Sequence, residues 1–260
     1  SLLDTIFNNI YTLVIGKFYS ARDLGNYSRA SHYAQMASSQ LNGIFSGVAF
    51  PMLCSIQNDM ERLARVYRQY LRVIAFIVFP LMVGMSAVAK PLIIVMLTEK
   101  WIDVVELLQI ICLSMMWYPV HSINLSLLQV KGRSDLFLRL EVIKKIIIVI
   151  VMCITVPISI KAMVIGSLCT SLICLFINTY YTGKLINVGY LKQMKDLLPI
   201  LLLALFMGLC VYIITLVVPG YLLQLIIGVI SGMIIYVGIA YLFKMSELTE
   251  LLTLIKLRKK

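Results

Sequence analysis

Hydrophobic positions along the chain fall into long blocks, and short polar segments between them carry most of the charges. The longest block, Leu197 to Phe243, is 47 residues without one Asp, Glu, Lys or Arg. A helix of about 20 mostly apolar residues crosses the roughly 30 Å hydrocarbon core of a bilayer. This block is therefore too long for one crossing, and Val218-Pro219-Gly220 supplies a turn near its middle. The pattern predicts two consecutive membrane spans here.

Upstream, charged residues bound six further apolar blocks of similar length. These are Leu2–Phe18, residues 30–58, Val73–Ala89, Leu107–Val130, Val142–Ile160 and Ala162–Gly183. The block 30–58 is unusually polar, whereas the others are mainly aliphatic and aromatic. We therefore predict an all-α fold, a polytopic transmembrane helical bundle of about eight transmembrane helices.

Composition supports this prediction and excludes several other classes of protein. Hydrophobic residues make up 61% of the chain and charged residues only 13%, against about 45–50% and about 25% in soluble domains. A soluble enzyme, a nucleic-acid-binding protein and a disordered chain are excluded. The net charge of +11 indicates basic loops on the cytoplasmic side of a membrane rather than nucleic acid as a partner.

The distribution of Lys and Arg predicts an orientation. If the N-terminus of the segment is cytoplasmic, the inside segments carry 17 Lys and Arg residues and the outside segments carry six. This asymmetry follows the positive-inside rule and places both termini in the cytoplasm. The tail after Phe243 has Leu248, Leu251, Leu252 and Ile255 on one helical face before a basic end. It predicts an amphipathic helix on membrane lipids, with a solvated basic end as the alternative.

Catalytic motifs are absent from the sequence. The chain contains no HExxH, GxSxG, Walker or GxGxxG motif, and its two histidines lack the spacing of metal ligands. No Asp or Glu falls well inside the second to eighth predicted spans. We expect a protein that is not an enzyme and that uses no cofactor and no metal.

Polar and cationic residues nevertheless occur at membrane depth, where they are costly and tend to face a bundle interior or a wet cavity. Interhelical hydrogen bonding is the alternative for the amides, snorkelling to the interface for Arg29, and a satisfied core position for His121. As a set these residues predict a polar cavity that binds substrate. The candidates are Asn8, Asn9, Lys17, Arg29, His32, Gln40, Asn42, His121 and Asn124.

Several runs of the sequence carry a family resemblance. They are Asn8–Lys17, Leu24–Ala30, Phe50-Pro51, Lys100-Trp101, Trp117–His121 and Lys131–Asp135. With these runs the chain resembles bacterial polysaccharide (O-antigen, Wzx-type) flippases of the multidrug/oligosaccharidyl-lipid/polysaccharide exporter superfamily. Asn26 departs from the family pattern, which often has a second Tyr there.

The resemblance implies a domain organisation. Family members usually have twelve to fourteen spans, with twelve of them in two six-helix lobes, so residues 1–183 correspond to the second lobe. Residues 184–243 correspond to two additional C-terminal helices, and residues 244–260 to the basic amphipathic tail. Because residue 1 is Ser and the first lobe is missing, we expect the chain to begin inside a longer protein whose first lobe is its partner.

The resemblance also implies a substrate, an undecaprenyl-pyrophosphate-linked oligosaccharide that moves from the inner to the outer leaflet of the bacterial inner membrane. Lys17, Arg29 and His121 would contact the pyrophosphate. The sugar would contact the amide side chains among the candidates.

Other functions remain open at this point. A multidrug or small-solute antiporter of the same superfamily would need a membrane-buried carboxylate, and only Asp4 comes near that position. A membrane-embedded glycan polymerase or ligase would need a large outer loop, and the longest outside loop, Lys90 to Glu106, is short and apolar. A purely structural membrane subunit would not need the polar second span.

Overall fold

A computed structural model describes residue 7 and residues 9–251, without the side chains of residues 40–42, 44–46 and 48. Within these residues ten α-helices and one short 3-10 helix, Glu99–Trp101, have both ends described, and residues 246–251 are helical as well. The α-helices are α1 (Ile10–Phe18), α2 (Ala21–Ser55), α3 (Met60–Ala87), α4 (Ala89–Leu97), α5 (Asp103–Met115), α6 (Tyr118–Val130), α7 (Ser134–Thr155), α8 (Ile160–Ile186), α9 (Tyr190–Val217) and α10 (Tyr221–Leu242).

The predicted all-helical, multi-pass fold is confirmed. Helices α3, α8, α9 and α10, together with the α5–α6 pair, are long and apolar enough to cross a membrane. The turn predicted between the last two spans is also confirmed, because α9 ends at Val217 and α10 begins at Tyr221. Gly220 takes a φ of 85°, which glycine adopts without steric cost. The remaining predicted spans coincide with α1, α2 and α7, which are more polar or, in the described part of α1, shorter.

Two predicted boundaries need correction. Helix α7 starts at Ser134 rather than at residue 142 and ends at Thr155, so Glu141 lies in its third turn. The prediction that no acidic residue falls well inside the later spans did not consider Glu141, which belongs to the same helix but precedes the predicted span that begins at Val142. The span predicted from Leu107 to Val130 is interrupted at Met116-Trp117, because Pro119 cannot donate to the preceding turn and starts a new helix instead.

Short polar residues set several helix starts. Ser20 and Asp23 form a capping box at α2, in which the Ser20 hydroxyl accepts from the Asp23 amide and the Asp23 carboxylate accepts from the Ser20 amide. Asp59 accepts from the Arg62 amide at 3.0 Å to cap α3, and Ser159 caps α8 in the same way. These caps fix where the chain re-enters the bundle.

Helix α3 lies at the centre of the bundle and carries much of its core. Tyr67, Phe79 and Met82 are fully buried, and Phe79 meets Trp117 edge to face with ring centroids 5.2 Å apart. Helix α9 packs along α3, and α10 packs on α9. The α3–α9 contact is close, since a Cβ at Gly208 would lie 2.4 Å from a Val83 methyl group. The last two helices are thus bound tightly to the rest of the chain.

Contacts between helix ends divide the bundle into two ends. At one end, which we call the basic end, Lys131 donates to the Gln57 carbonyl at 3.0 Å and Arg68 pairs with Asp196. At the opposite end, Arg22 pairs with Asp103 at 2.9 Å and Lys161 pairs with Glu106. The basic end therefore gathers the α2–α3, α6–α7 and α8–α9 junctions, where the loops and the helical turns beside them carry many of the Lys and Arg residues.

Candidate functional site

Two polar cavities lie side by side in the bundle. Cavity A, about 540 Å³, is lined by α1, α6, α7 and α8 together with Phe7. Cavity B, about 560 Å³, is lined by Asn9, α1, α2 and the α5–α6 break. Tyr118, the first residue of α6, lines both cavities. Because the break in the helix occurs where the two cavities meet, the aromatic ring forms part of the wall between them.

Cavity A contains the charged groups of the site. Lys144 and Lys145 line it from α7, and Lys144 pairs with Glu141 one turn earlier. The Lys145 Nζ lies 5.3 Å from the centroid of the Phe7 ring, a cation–π contact. Two cations and one carboxylate leave the cavity with an excess of positive charge.

His121 forms part of the wall of cavity A and is held at both ring nitrogens. The Asn178 amide donates to Nδ1 at 3.1 Å, so the ring proton lies on Nε2, which is 3.1 Å from Ser171 Oγ and donates to it. The ring is fixed in this way by two residues that lie two turns apart on α8, and it supplies a rigid polar wall. His121 therefore lies on the lining of cavity A, and its contact with substrate stays a prediction.

Two hydroxyl groups on the lining of cavity A have no hydrogen-bond partner among the described residues. Within the described part of the chain, neither Thr170 Oγ1 nor Tyr11 Oη makes a hydrogen bond, although both atoms are buried. Thr170 is only 5% exposed. Buried polar atoms in proteins are nearly always hydrogen-bonded. Both groups can therefore donate to oxygen atoms of a ligand in cavity A.

Cavity B is polar but uncharged over its described lining. It contains Asn9 and Thr12 from the first helical segment, and His32, Gln35 and several serines from α2. Gln35 donates to Ser31 Oγ at 3.0 Å, and Ser38 donates to the Met115 carbonyl at 2.9 Å. Hydroxyl and amide groups of this kind suit the hydroxyls of a neutral sugar better than a phosphate.

The structure brings together three of the residues predicted from sequence. His121 lines cavity A, and Asn9 and His32 line cavity B. Asn8 lies outside the described residues, and so do the side chains of Gln40 and Asn42.

The other three predicted residues lie elsewhere. Asn124 is 1% exposed and accepts hydrogen bonds from Thr182 at 2.7 Å and from Gln193 at 3.0 Å, so it joins helices. Arg29 lies 5.8 Å from the Trp101 ring, and Lys17 lies 5.7 Å from the Phe18 ring. Neither cation lines cavity A or cavity B.

Sequence reasoning missed the α7 residues of cavity A. None of these residues was among the candidates, because Glu141 precedes the predicted span Val142–Ile160 and Lys144 and Lys145 lie at its start. The available signal was their spacing, since Glu141, Lys144, Lys145 and Ile148 lie three and four residues apart and therefore share one helix face. All four line cavity A.

An apolar bundle with two adjoining polar cavities has the architecture of a membrane transporter, and comparison with known proteins agrees. The solved structure titled "Lipid II flippase MurJ, inward closed conformation" superposes with a TM-score of 0.66 at 19% identity, over 93% of this chain and 54% of that chain. The two chains therefore share a fold. The superposition covers about half the length of the MurJ chain.

Sequence comparisons point to one group of proteins. Residues 1–106 match the family described as "Polysaccharide biosynthesis protein". The lipopolysaccharide biosynthesis protein WzxC of Escherichia coli is 30% identical over 55% of this chain and 29% of its own length. The succinoglycan biosynthesis transport protein ExoT of Rhizobium meliloti is 25% identical over 95% of this chain and 51% of its own length. The predicted resemblance to polysaccharide flippases is confirmed, and the chain spans about half or less of these relatives.

Proposed function

We propose that this chain is the C-terminal part of a flippase that moves a lipid-linked oligosaccharide across the bacterial inner membrane. The carrier lipid is undecaprenyl pyrophosphate, and the product serves lipopolysaccharide or capsule synthesis. The proposal rests on one observation above all, that a cationic cavity and a neutral polar cavity adjoin at Tyr118. The substrate has the same two parts, an anionic pyrophosphate joined to a neutral sugar chain. The chain acts as a transporter and not as an enzyme, and it needs no cofactor.

Each cavity takes one part of the substrate in this proposal. Lys144 and Lys145 attract the pyrophosphate into cavity A, where Thr170 and Tyr11 donate hydrogen bonds to its oxygens. The sugar chain occupies cavity B and uses its hydroxyl and amide groups. Tyr118, at the wall between the cavities, offers a ring face on which a sugar packs.

The missing first lobe completes the site. Residues 1–183 form the second lobe, and alternating access comes from movement of the two lobes about a cavity near the midplane. Both termini of the segment are cytoplasmic, with the basic end facing the cytoplasm. This orientation accords with the high density of Lys and Arg at that end.

Thr170→Val tests the role of cavity A. Valine has nearly the same shape as threonine, and the lost hydroxyl makes no hydrogen bond within the described protein. Folding should therefore be unaffected, while transport should fall at least about tenfold, because one hydrogen bond to a charged group is lost. The measurement is surface glycan in a flippase-deficient strain complemented with the full-length variant at matched protein levels.

Thr215→Val is the matched control, because Thr215 donates only to Tyr212 of its own helix and lies outside both cavities. Lys144→Ala should reduce transport further than Thr170→Val. Normal surface glycan with both cavity A variants would rule out cavity A as the pyrophosphate site.

A cation-coupled antiporter of small solutes is the second candidate function. Asp4, on which this alternative first rested, lies outside the described residues, but Glu141 in α7 now supplies a carboxylate on the lining of cavity A. Drug efflux measured in cells with the full-length protein separates the two functions. If Glu141→Gln abolishes drug efflux but leaves surface glycan normal, the result would favour the antiporter.

A further inference from the structure

A third cavity, about 590 Å³, lies at the basic end and takes no part in the proposed transport path. It forms where the first turns of α3 meet the connection between α8 and α9. We call it the basic-end pocket. Arg65 and Arg68 line it from α3, and Lys184 and Lys192 line it from the other side. Glu61 is the single acidic residue on the described lining.

These four cations are not equivalent. Arg68 donates two hydrogen bonds of 2.6 Å to the two carboxylate oxygens of Asp196, so its charge is neutralised and its position fixed. Lys192 donates to the Asn187 carbonyl at 2.8 Å. Arg65 and Lys184 make no ion pair within the described part of the chain. Asp196 neutralises Arg68, and the charge of Glu61 offsets that of one further cation on the lining. The pocket therefore retains an excess of positive charge.

The backbone of the α8–α9 connection adds to this preference for anions. Asn187 takes a left-handed φ of 58° and ends α8. The chain then doubles back so tightly that a Cβ at Gly183 would lie 2.9 Å from the Cα of Gly189. Gly189 precedes α9 and offers no side-chain cap. The N-terminus of α9 thus lies beside the pocket, and its first amide groups carry the positive end of the helix dipole.

We propose that the basic-end pocket binds a phosphate-bearing anion, and that this anion is the phosphodiester headgroup of an anionic membrane lipid. Lys184 Nζ lies 4.7 Å from the Tyr180 ring centroid, and Tyr180 and Phe176 are more than half exposed on the same helix. An apolar, aromatic surface therefore continues from the pocket along α8. The headgroup of a lipid can bind in the cationic pocket while its acyl chains lie along the apolar surface of α8. Free phosphate has no apolar part that would contact this surface.

Native mass spectrometry of the purified full-length protein tests this site with phosphatidylglycerol as the probe and phosphatidylethanolamine as the zwitterionic comparison. The variant Arg65→Gln/Lys184→Gln should bind phosphatidylglycerol at least about tenfold more weakly, because each cation near an anionic lipid contributes about fivefold. Arg62→Gln/Lys195→Gln is the matched control. It removes two charges at the same end from exposed residues that do not line the pocket, and its affinity should stay within about twofold.

A gain of affinity separates this proposal from misfolding. Glu61→Gln removes the acidic residue of the pocket and should tighten phosphatidylglycerol binding severalfold. Millimolar inorganic phosphate should leave bound lipid in place, and displacement at that concentration would show that free phosphate is the occupant instead. Equal losses in the Arg65/Lys184 variant and the Arg62/Lys195 control would overturn the site altogether. None of these outcomes depends on glycan transport, so the pocket stands or falls separately from the proposed function.

Discussion

His121 and Asn124 lie one turn apart on α6 and serve different purposes. His121 faces cavity A and is hydrogen-bonded to Ser171 and Asn178. Asn124 points to the protein interior and connects α6 to Thr182 of α8 and Gln193 of α9. One side chain therefore shapes the site, and its neighbour holds the helices that surround it.

Asn124→Ala should lower the free energy of unfolding by roughly 1–2 kcal/mol, since three interhelical hydrogen bonds are lost and bonds of this kind average about 0.6 kcal/mol with a maximum near 1.7. The measurement is thermal or denaturant unfolding of the purified protein in detergent. Thr182→Val added to Asn124→Ala should cost little more, because the partner is already gone. Ser126→Ala on the same helix is the control, and an equal loss of stability there would contradict the assignment.

The sequence identified both residues as candidates but could not separate them. Their polarity at membrane depth was visible, whereas the partner of Asn124 lies 69 residues away in Gln193. Arg29 illustrates the same limit. Its contact with Trp101 depends on how α2 meets the α4–α5 connection, which local spacing does not report.

At the scale of elements, close contact between α3 and α9 depends on the absence of a side chain at Gly208. Helices in membranes associate through small residues that let their backbones approach. Val83 is β-branched and has little freedom to move its methyl groups away. The interface between these helices therefore tolerates glycine at position 208 and resists alanine.

Gly208→Ala should destabilise the protein by about 1–3 kcal/mol through overpacking. Gly84→Ala is the control, because a Cβ there would meet its nearest neighbour at an ordinary 3.7 Å. Val83→Ala should restore stability to the Gly208→Ala variant by making room for the new methyl group. Unfolding of the unmodified protein and the three variants in the same detergent provides the comparison, and a failure of Val83→Ala to rescue would disprove the steric explanation.

Helix positions followed from hydropathy, but the limits of α7 did not. Apolar blocks separated by charges gave the approximate positions of the spans and the turn at residues 218–220. The method placed Lys144 and Lys145 at the start of a span because it assumes that charges end spans. Charged residues that face a cavity can instead lie within a helix, and α7 therefore extends back to Ser134.

At the scale of the whole molecule, the ends of the helices agree with the alternation predicted from Lys and Arg. Lys131 meets Gln57 at the basic end, and Arg22 meets Asp103 at the opposite end. Neither cavity could be predicted as a volume, because each requires knowledge of which helices are neighbours. The polar residues on α1, α2 and α6 nevertheless indicated that a cavity exists.

Single cysteines in a cysteine-free background test the orientation. A membrane-impermeant thiol reagent added outside should label Asp103→Cys and Gly220→Cys, because both lie at the opposite end. It should miss Arg65→Cys, Arg139→Cys and Lys192→Cys until the membrane is permeabilised. Labelling of intact cells followed by a mass shift on a gel gives the result, and the reverse pattern would invert the proposed orientation.

The charge-free stretch from Leu197 to Phe243 also bears on how the chain is made. Neither α9 nor α10 carries an orienting charge in that stretch, so in the proposed orientation the flanking basic residues, among them Lys192, Lys195 and Lys244, hold both ends of the hairpin in the compartment of synthesis. We therefore expect the two helices to enter the bilayer as a pair during biogenesis. Until it arrives, Asn124 in the nascent bundle has Thr182 as an interhelical partner but not Gln193. When α9 packs against the bundle, Gln193 forms hydrogen bonds with the Asn124 amide. These bonds fix the position of α9 along α6, which apolar contacts alone would not specify.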